Sequence, residues 1–135
     1  MEIRITTKNF TVREVYIQMV EKEIDLAPDF QRDFVWKVQQ QTRLIESILL
    51  GIPLPAFYFS QDELGQYDVI DGVQRLTTIK QFMSGQLLLE ERHLEYLSPA
   101  SGNTYDTLDN ATRRRFASTQ IVAHVIEPQT PSAVK

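Results

Sequence analysis

A chain of 135 residues, 42% apolar and 24% charged, is long enough to bury about two-thirds of its unfolded surface in one core, and this balance is that of a folded globular domain. No apolar run reaches the ~18 residues that span a bilayer and the opening MEIRITTKNF lacks a signal-peptide core, so a cytoplasmic protein without a membrane partner is expected. The net charge of −4 disfavours a general nucleic-acid coat, and the absence of cysteine, with His93 and His124 far apart, leaves no disulfide, no thiolate and no metal site to expect.

The first residues, 2–6, read as a weak strand. A helix follows: Thr11 and Glu14 have the spacing of a capping box, Phe10 and Val15 that of a hydrophobic staple, and Val12, Val15, Tyr16, Met19 and Val20 make an apolar face. Pro28 breaks the next segment, in which FQRDFVWK surrounds Gln31 and Arg32 with aromatic and branched residues. A second helix is predicted over 37–50, with Val38, Ile45, Ile48 and Leu49 on one side and Gly51 as its stop.

The prolines of IPLPAFYFS give a rigid entry into a strand. With DELGQ as the turn and YDVI as the return, residues 56–70 read as a β-hairpin. A third helix is predicted over 72–83, closed by Gly85, and QLLLE after it as a short strand. SPASGN is a loop, Asp109 caps a helix carrying Arg113, Arg114 and Arg115, and TQIVAHVIE is a long apolar strand in which His124 is expected in the core or at a sheet edge. Alternating strands and helices with one hairpin predict an α+β domain with a small mixed sheet over residues 1–127, and the proline-bearing PQTPSAVK, 128–135, reads as a linker or end of a longer chain.

The junction VIDGVQR raises a chemical question. A helix N-terminus presents unpaired N–H groups and a partial positive charge, Gly72 has no side chain to block an approaching phosphate, and Arg75 can add a forked donor. The helical wheel places Arg75 at the edge of the buried face through Val73, Leu76, Ile79 and Met83, where a charged side chain needs a partner. A plainer reading makes Asp71 an N-cap, Gly72 a turn residue and Arg75 the partner of Asp71 or of a hairpin carboxylate. These residues alone favour it, since the glycine-rich Walker loop is missing. Gln31 and Arg32 pose the same choice, and two Gln/Arg motifs in so short a chain point to a shared polar pocket. Arg113, Arg114 and Arg115 read as a solvated helix face or, alternatively, as a contact for a nucleic-acid backbone or a partner.

Taken together, PDFQRDFVWK, LIESILLGIPLPAFYF and VIDGVQRLTTIKQF resemble the N-terminal domain of GmrSD-type restriction endonucleases, in the ParB and sulfiredoxin-like superfamily. The resemblance is close over residues 24–85 and looser on the flanks. It implies a ParB-like α+β fold that binds, and in several members helps hydrolyse, a nucleoside triphosphate (GTP, ATP or CTP) with Mg²⁺, in control of a separate DNA-cutting domain or subunit directed against modified phage DNA. Carried onto this chain, the Asp-Gly-Gln-Gln-Arg motif falls on Asp71, Gly72, Gln74 and Arg75, with Val73 standing where the family usually has its first Gln. The Phe-Gln-Arg motif falls on Gln31 and Arg32. Catalytic roles are thereby implied for Asp71, Gln74 and Arg75, and phosphate contacts for Gln31, Arg32, Asp71, Gly72 and Arg75. The family's usual continuation into a helical region and a histidine-based nuclease is not visible in these residues, so the expected function is that of a nucleotide-binding regulatory domain. The alternative is a non-enzymatic DNA- or partner-binding module.

Overall fold

The computed structural model describes residues 3–26 and 35–128. The order is β1 (Ile3–Thr11), α1 (Val12–Val20), β2 (Ile24–Asp25), α2 (Val38–Leu49), β3 (Phe57–Gln61), β4 (Tyr67–Asp71), α3 (Val73–Met83), α4 (Asn110–Ala117) and β5 (Gln120–Pro128), with three short 3-10 turns between α3 and α4. The five strands form one mixed sheet in the order β1-β5-β3-β4-β2. The α+β class expected from the sequence is what the chain adopts. No helix among the described residues is long and apolar enough to cross a membrane.

Local chemistry accounts for most of the boundaries. At the start of α1, the Thr11 hydroxyl accepts from the Glu14 N–H at 3.0 Å while the Thr11 N–H donates to the Glu14 carboxylate at 2.7 Å, the reciprocal pair of a capping box. The hairpin turn is held by Asp62, whose carboxylate accepts from the N–H groups of Leu64 and Gln66, both at 2.9 Å. Gly51 follows α2 and Gly85 follows α3, each at positive φ, as helix stops do.

The sheet buries one face. Phe10 of β1, Phe57 and Phe59 of β3, Tyr67 and Val69 of β4 and Ile121, Ala123 and Val125 of β5 are buried with Val12, Val15, Ile45, Ile48, Leu76, Ile79, Phe82 and Phe116 of the helices. The alternate residues Ile5, Tyr58 and Val122 are exposed on the opposite face. His124 sits on that open face in the middle of the sheet, its Nδ1 3.0 Å from the Thr7 hydroxyl, so it is neither a core nor an edge residue.

Three features differ from expectation. β1 is longer than residues 2–6, because it pairs antiparallel with β5 through Thr11. QLLLE is not a strand: Leu87 and Leu89 are buried and Leu88 is exposed, as in a strand, yet the backbone bonds are made to a loop, Leu89 N–H to Asn103 O at 2.9 Å and Gly102 N–H to Leu89 O at 2.7 Å. Val38 is exposed on α2, whereas Glu46 is buried there. Pro128 is the last residue of β5, opposite Ile3, and the rest of the expected linker lies outside the described residues.

Candidate functional site

β4 runs through Asp71 and α3 begins at Val73, so the whole change of direction is made at Gly72. Its φ of +115° lies in the left-handed region that only glycine enters without strain. Space demands glycine as well: a Cβ here would stand 2.3 Å from Cδ2 of Phe57. Asp71 is not the N-cap. It belongs to β4, opposite Tyr58, its side chain is 67% exposed, and the cap position falls on Gly72, which offers no side-chain acceptor to the first turn of α3.

Arg75 lies against the same ring, its guanidinium carbon 4.0 Å from the Phe57 ring centre. One terminal nitrogen donates to Pro55 O at 2.5 Å and the other to Ala56 O at 3.4 Å, and the Asp71 carboxylate stands 3.8 Å away. Burial pushes its pKa below the usual arginine value and Asp71 acts the other way. A guanidinium remains protonated throughout. Arg75 thus fastens the proline-rich entry of β3 to the first turn of α3, the partner that its place on the helix edge required.

Gln74 connects the junction to the first motif. Its side-chain carbonyl accepts from the N–H groups of Val35 at 3.1 Å and Trp36 at 3.0 Å, so the end of the FQRDFVWK segment is drawn onto α3. Trp36, Asp71, Gly72, Val73, Gln74 and Arg75 line a pocket of about 170 Å³. Asp71, Gly72, Gln74 and Arg75 thus line one small cavity together with Trp36 from the end of the first motif. Gln31 and Arg32 lie outside the described residues. Val73 is buried, in keeping with its place on the apolar side of the helix.

A family model described as GmrSD restriction endonuclease, N-terminal domain, matches residues 15–132. The chain belongs to the GmrSD N-terminal domain family. No curated protein and no solved structure matches it significantly. In this GmrSD N-terminal domain, Asp71, Gly72, Gln74 and Arg75 lie at one strand-to-helix crossing. Two contributors had no sequence signal of their own: Phe57, one of several aromatics in AFYF, is the wall that Gly72 and Arg75 share, and Trp36 lines the pocket from a segment far away in the chain. Among the described residues no three His, Cys, Asp or Glu side chains gather as a metal-ligand group. As a GmrSD N-terminal domain, the chain is part of a restriction-type defence protein.

Proposed function

We propose that this domain is the nucleotide-binding regulatory part of its restriction protein, with the Gly72 junction receiving the phosphate end of a nucleoside triphosphate. The observation that carries the reading is the uncapped start of α3: a glycine at φ +115° supplies no side-chain hydrogen bond there, and the pocket opens on that turn. First-turn N–H groups and the helix dipole favour an anion at such a place. At about 170 Å³ the pocket suits phosphoryl groups and not a whole nucleotide, so base and ribose would lie outside it, with Trp36 on the near side.

In this reading each motif residue has a distinct duty. Gly72 gives access to the backbone. Arg75, tied to two carbonyls, supplies positive field and rigidity more than a free fork. Gln74 holds the Trp36 segment in place through its committed carbonyl. Asp71, the exposed carboxylate, would hold a hydrated Mg²⁺ arriving with the phosphates, as that ion prefers, and would orient water for hydrolysis. Mg²⁺ would supply charge neutralisation on the phosphoryl oxygens.

The test is amide NMR of the chain titrated with GTP, ATP or CTP and Mg²⁺. Shifts centred on Gly72, Val73 and Gln74 are expected, with their Mg²⁺ dependence lost in Asp71→Ala. Unmoved amides at this turn under millimolar nucleotide would sink the proposal, and phosphate release unchanged by Asp71→Ala would remove the hydrolytic role of that carboxylate.

A further inference from the structure

A second feature stands apart from the junction and does not depend on it. Of the nine arginines in this acidic chain, Arg13, Arg113, Arg114 and Arg115 line one open groove of about 860 Å³ between α1 and α4. The two helices are brought together at this end by the Val12 N–H, which donates to Thr119 O at 2.8 Å, tying the start of α1 to the link between α4 and β5. Sequence separates Arg13 from the arginine run by about a hundred residues, so the cluster exists only in the fold.

What distinguishes these four is how their charge is used. Every other described arginine has an acid within ion-pair distance: Arg4 has Glu127, Arg43 has Glu95, Arg75 has Asp71 and Arg92 has Glu90. Among the described residues, none of the groove arginines forms such a pair, and no carboxylate lines the groove. Asp109 feels the charge of Arg115 without pairing to it. Arg113 is held in position, donating to Asp106 O at 2.9 Å and to the Asn110 side-chain oxygen. Arg114 leans on Asn110 O at 3.4 Å, while both it and Arg115 remain exposed. A chain with surplus acid that leaves four guanidinium groups uncompensated in one concavity has a site for an anion from outside.

We infer that this groove docks the phosphodiester backbone of a duplex nucleic acid. Successive residues on α4 point about 100° apart, so one phosphate cannot meet Arg113, Arg114 and Arg115 together, whereas consecutive phosphates along a strand can. Planar guanidinium forks match phosphate oxygens. Single strands are disfavoured as the occupant because the groove's aromatic, Tyr105, is engaged in the core, its ring centre 5.8 Å from both Phe82 and Phe116, and offers no platform for stacked bases. An acidic protein partner would offer carboxylates to the same guanidinium forks, and competition by polyglutamate separates it from the duplex.

The experiment is fluorescence anisotropy of a labelled DNA duplex of arbitrary sequence against the chain, across about 50 to 200 mM salt. Binding is expected with a slope of log K against log salt of about −3 to −4, the value for roughly four neutralised phosphates. The triple variant Arg13→Ala, Arg114→Ala, Arg115→Ala spares the anchored Arg113; it should lose about tenfold or more in affinity at low salt and flatten the slope toward about −1. Removing the same charge elsewhere, by Arg4→Ala, Arg43→Ala and Arg92→Ala, should leave the slope of the parent. No binding at the lowest salt, equal losses in the two triple variants, or displacement of the duplex by polyglutamate at matched charge would each overturn the assignment, the last in favour of an acidic protein partner. Circular dichroism of each variant establishes that it is folded.

Discussion

Arg75 and Gly72 both press on one aromatic ring: the Arg75 guanidinium carbon lies 4.0 Å from the Phe57 ring centre, and the backbone of Gly72 approaches so closely that a Cβ would stand 2.3 Å from Cδ2. The strand-to-helix crossing is therefore built around a side chain of β3. The stability of the crossing thus depends on the same atoms that line its cavity.

Gly72→Ala should destabilise the domain by about 2–4 kcal/mol, combining the cost of a left-handed backbone with that of overpacking against Phe57. Urea unfolding measures it as a lowered midpoint at constant slope. A loss below about 1 kcal/mol would show that the crossing relaxes without needing the close approach.

Arg75→Ala should cost about 2–3 kcal/mol even without any nucleotide, since it removes charged hydrogen bonds to Pro55 O and Ala56 O and the stacking on Phe57. Arg75→Lys should recover little, because an ammonium group cannot serve both carbonyls and lie flat on the ring. Denaturation of both variants in nucleotide-free buffer checks this. If Arg75→Ala unfolds at the parent midpoint, the arginine has no structural duty and only the proposed phosphate contact would be left for its charge.

Glu46 gives the domain a pH dependence. Burial works to raise its pKa, but the N–H groups of Glu95, Tyr96 and Leu97, at 3.0, 2.6 and 2.7 Å, together with Arg43, hold it below the ordinary value of 4.5. Its contribution is complete above that ordinary value and is lost as pH falls through the lower folded value, because the unfolded chain takes up the proton first. Glu46→Gln should cost about 2 kcal/mol at neutral pH and remove that part of the acid slope. Stability of parent and variant measured from neutral to acid pH should converge at the acid end. Parallel curves would mean that the carboxylate's charge is not what holds residues 95–97.

Asp68 has the opposite sign. Burial raises its pKa, helped by Asp25, which sits directly opposite it in register, and by Asp62. The folded chain holds this proton more tightly than the unfolded one, so the ionised form opposes folding, and stability from this group rises as pH falls through its folded value. Asp68→Asn should stabilise the domain by about 0.5 kcal/mol at neutral pH, as expected for removing a like-charge cross-strand pair. The gain should vanish in acid. A neutral or destabilising effect at pH 7 would show that the Asp68 carboxylate is held by favourable contacts that outweigh the repulsion.

Element order, the Thr11 capping box, the hairpin turn at Asp62 and the Gly72 junction could be read from the sequence because each depends on residues within a few positions of one another: hydrophobic period, cap chemistry and turn residues act locally. The three ordered motifs were enough to point to the family. Tertiary structure alone decided the rest. QLLLE alternates like a strand, but the partner available to its backbone was a loop at Gly102 and Asn103. Phe57 became the wall behind Gly72 and Arg75 only when β3 was laid beside β4. Glu46, a charged residue buried on α2, found three amides some fifty residues away, and Arg13 met the α4 arginines from about a hundred residues away. In each case the deciding energy lies in contacts between segments remote in sequence, which no local pattern encodes.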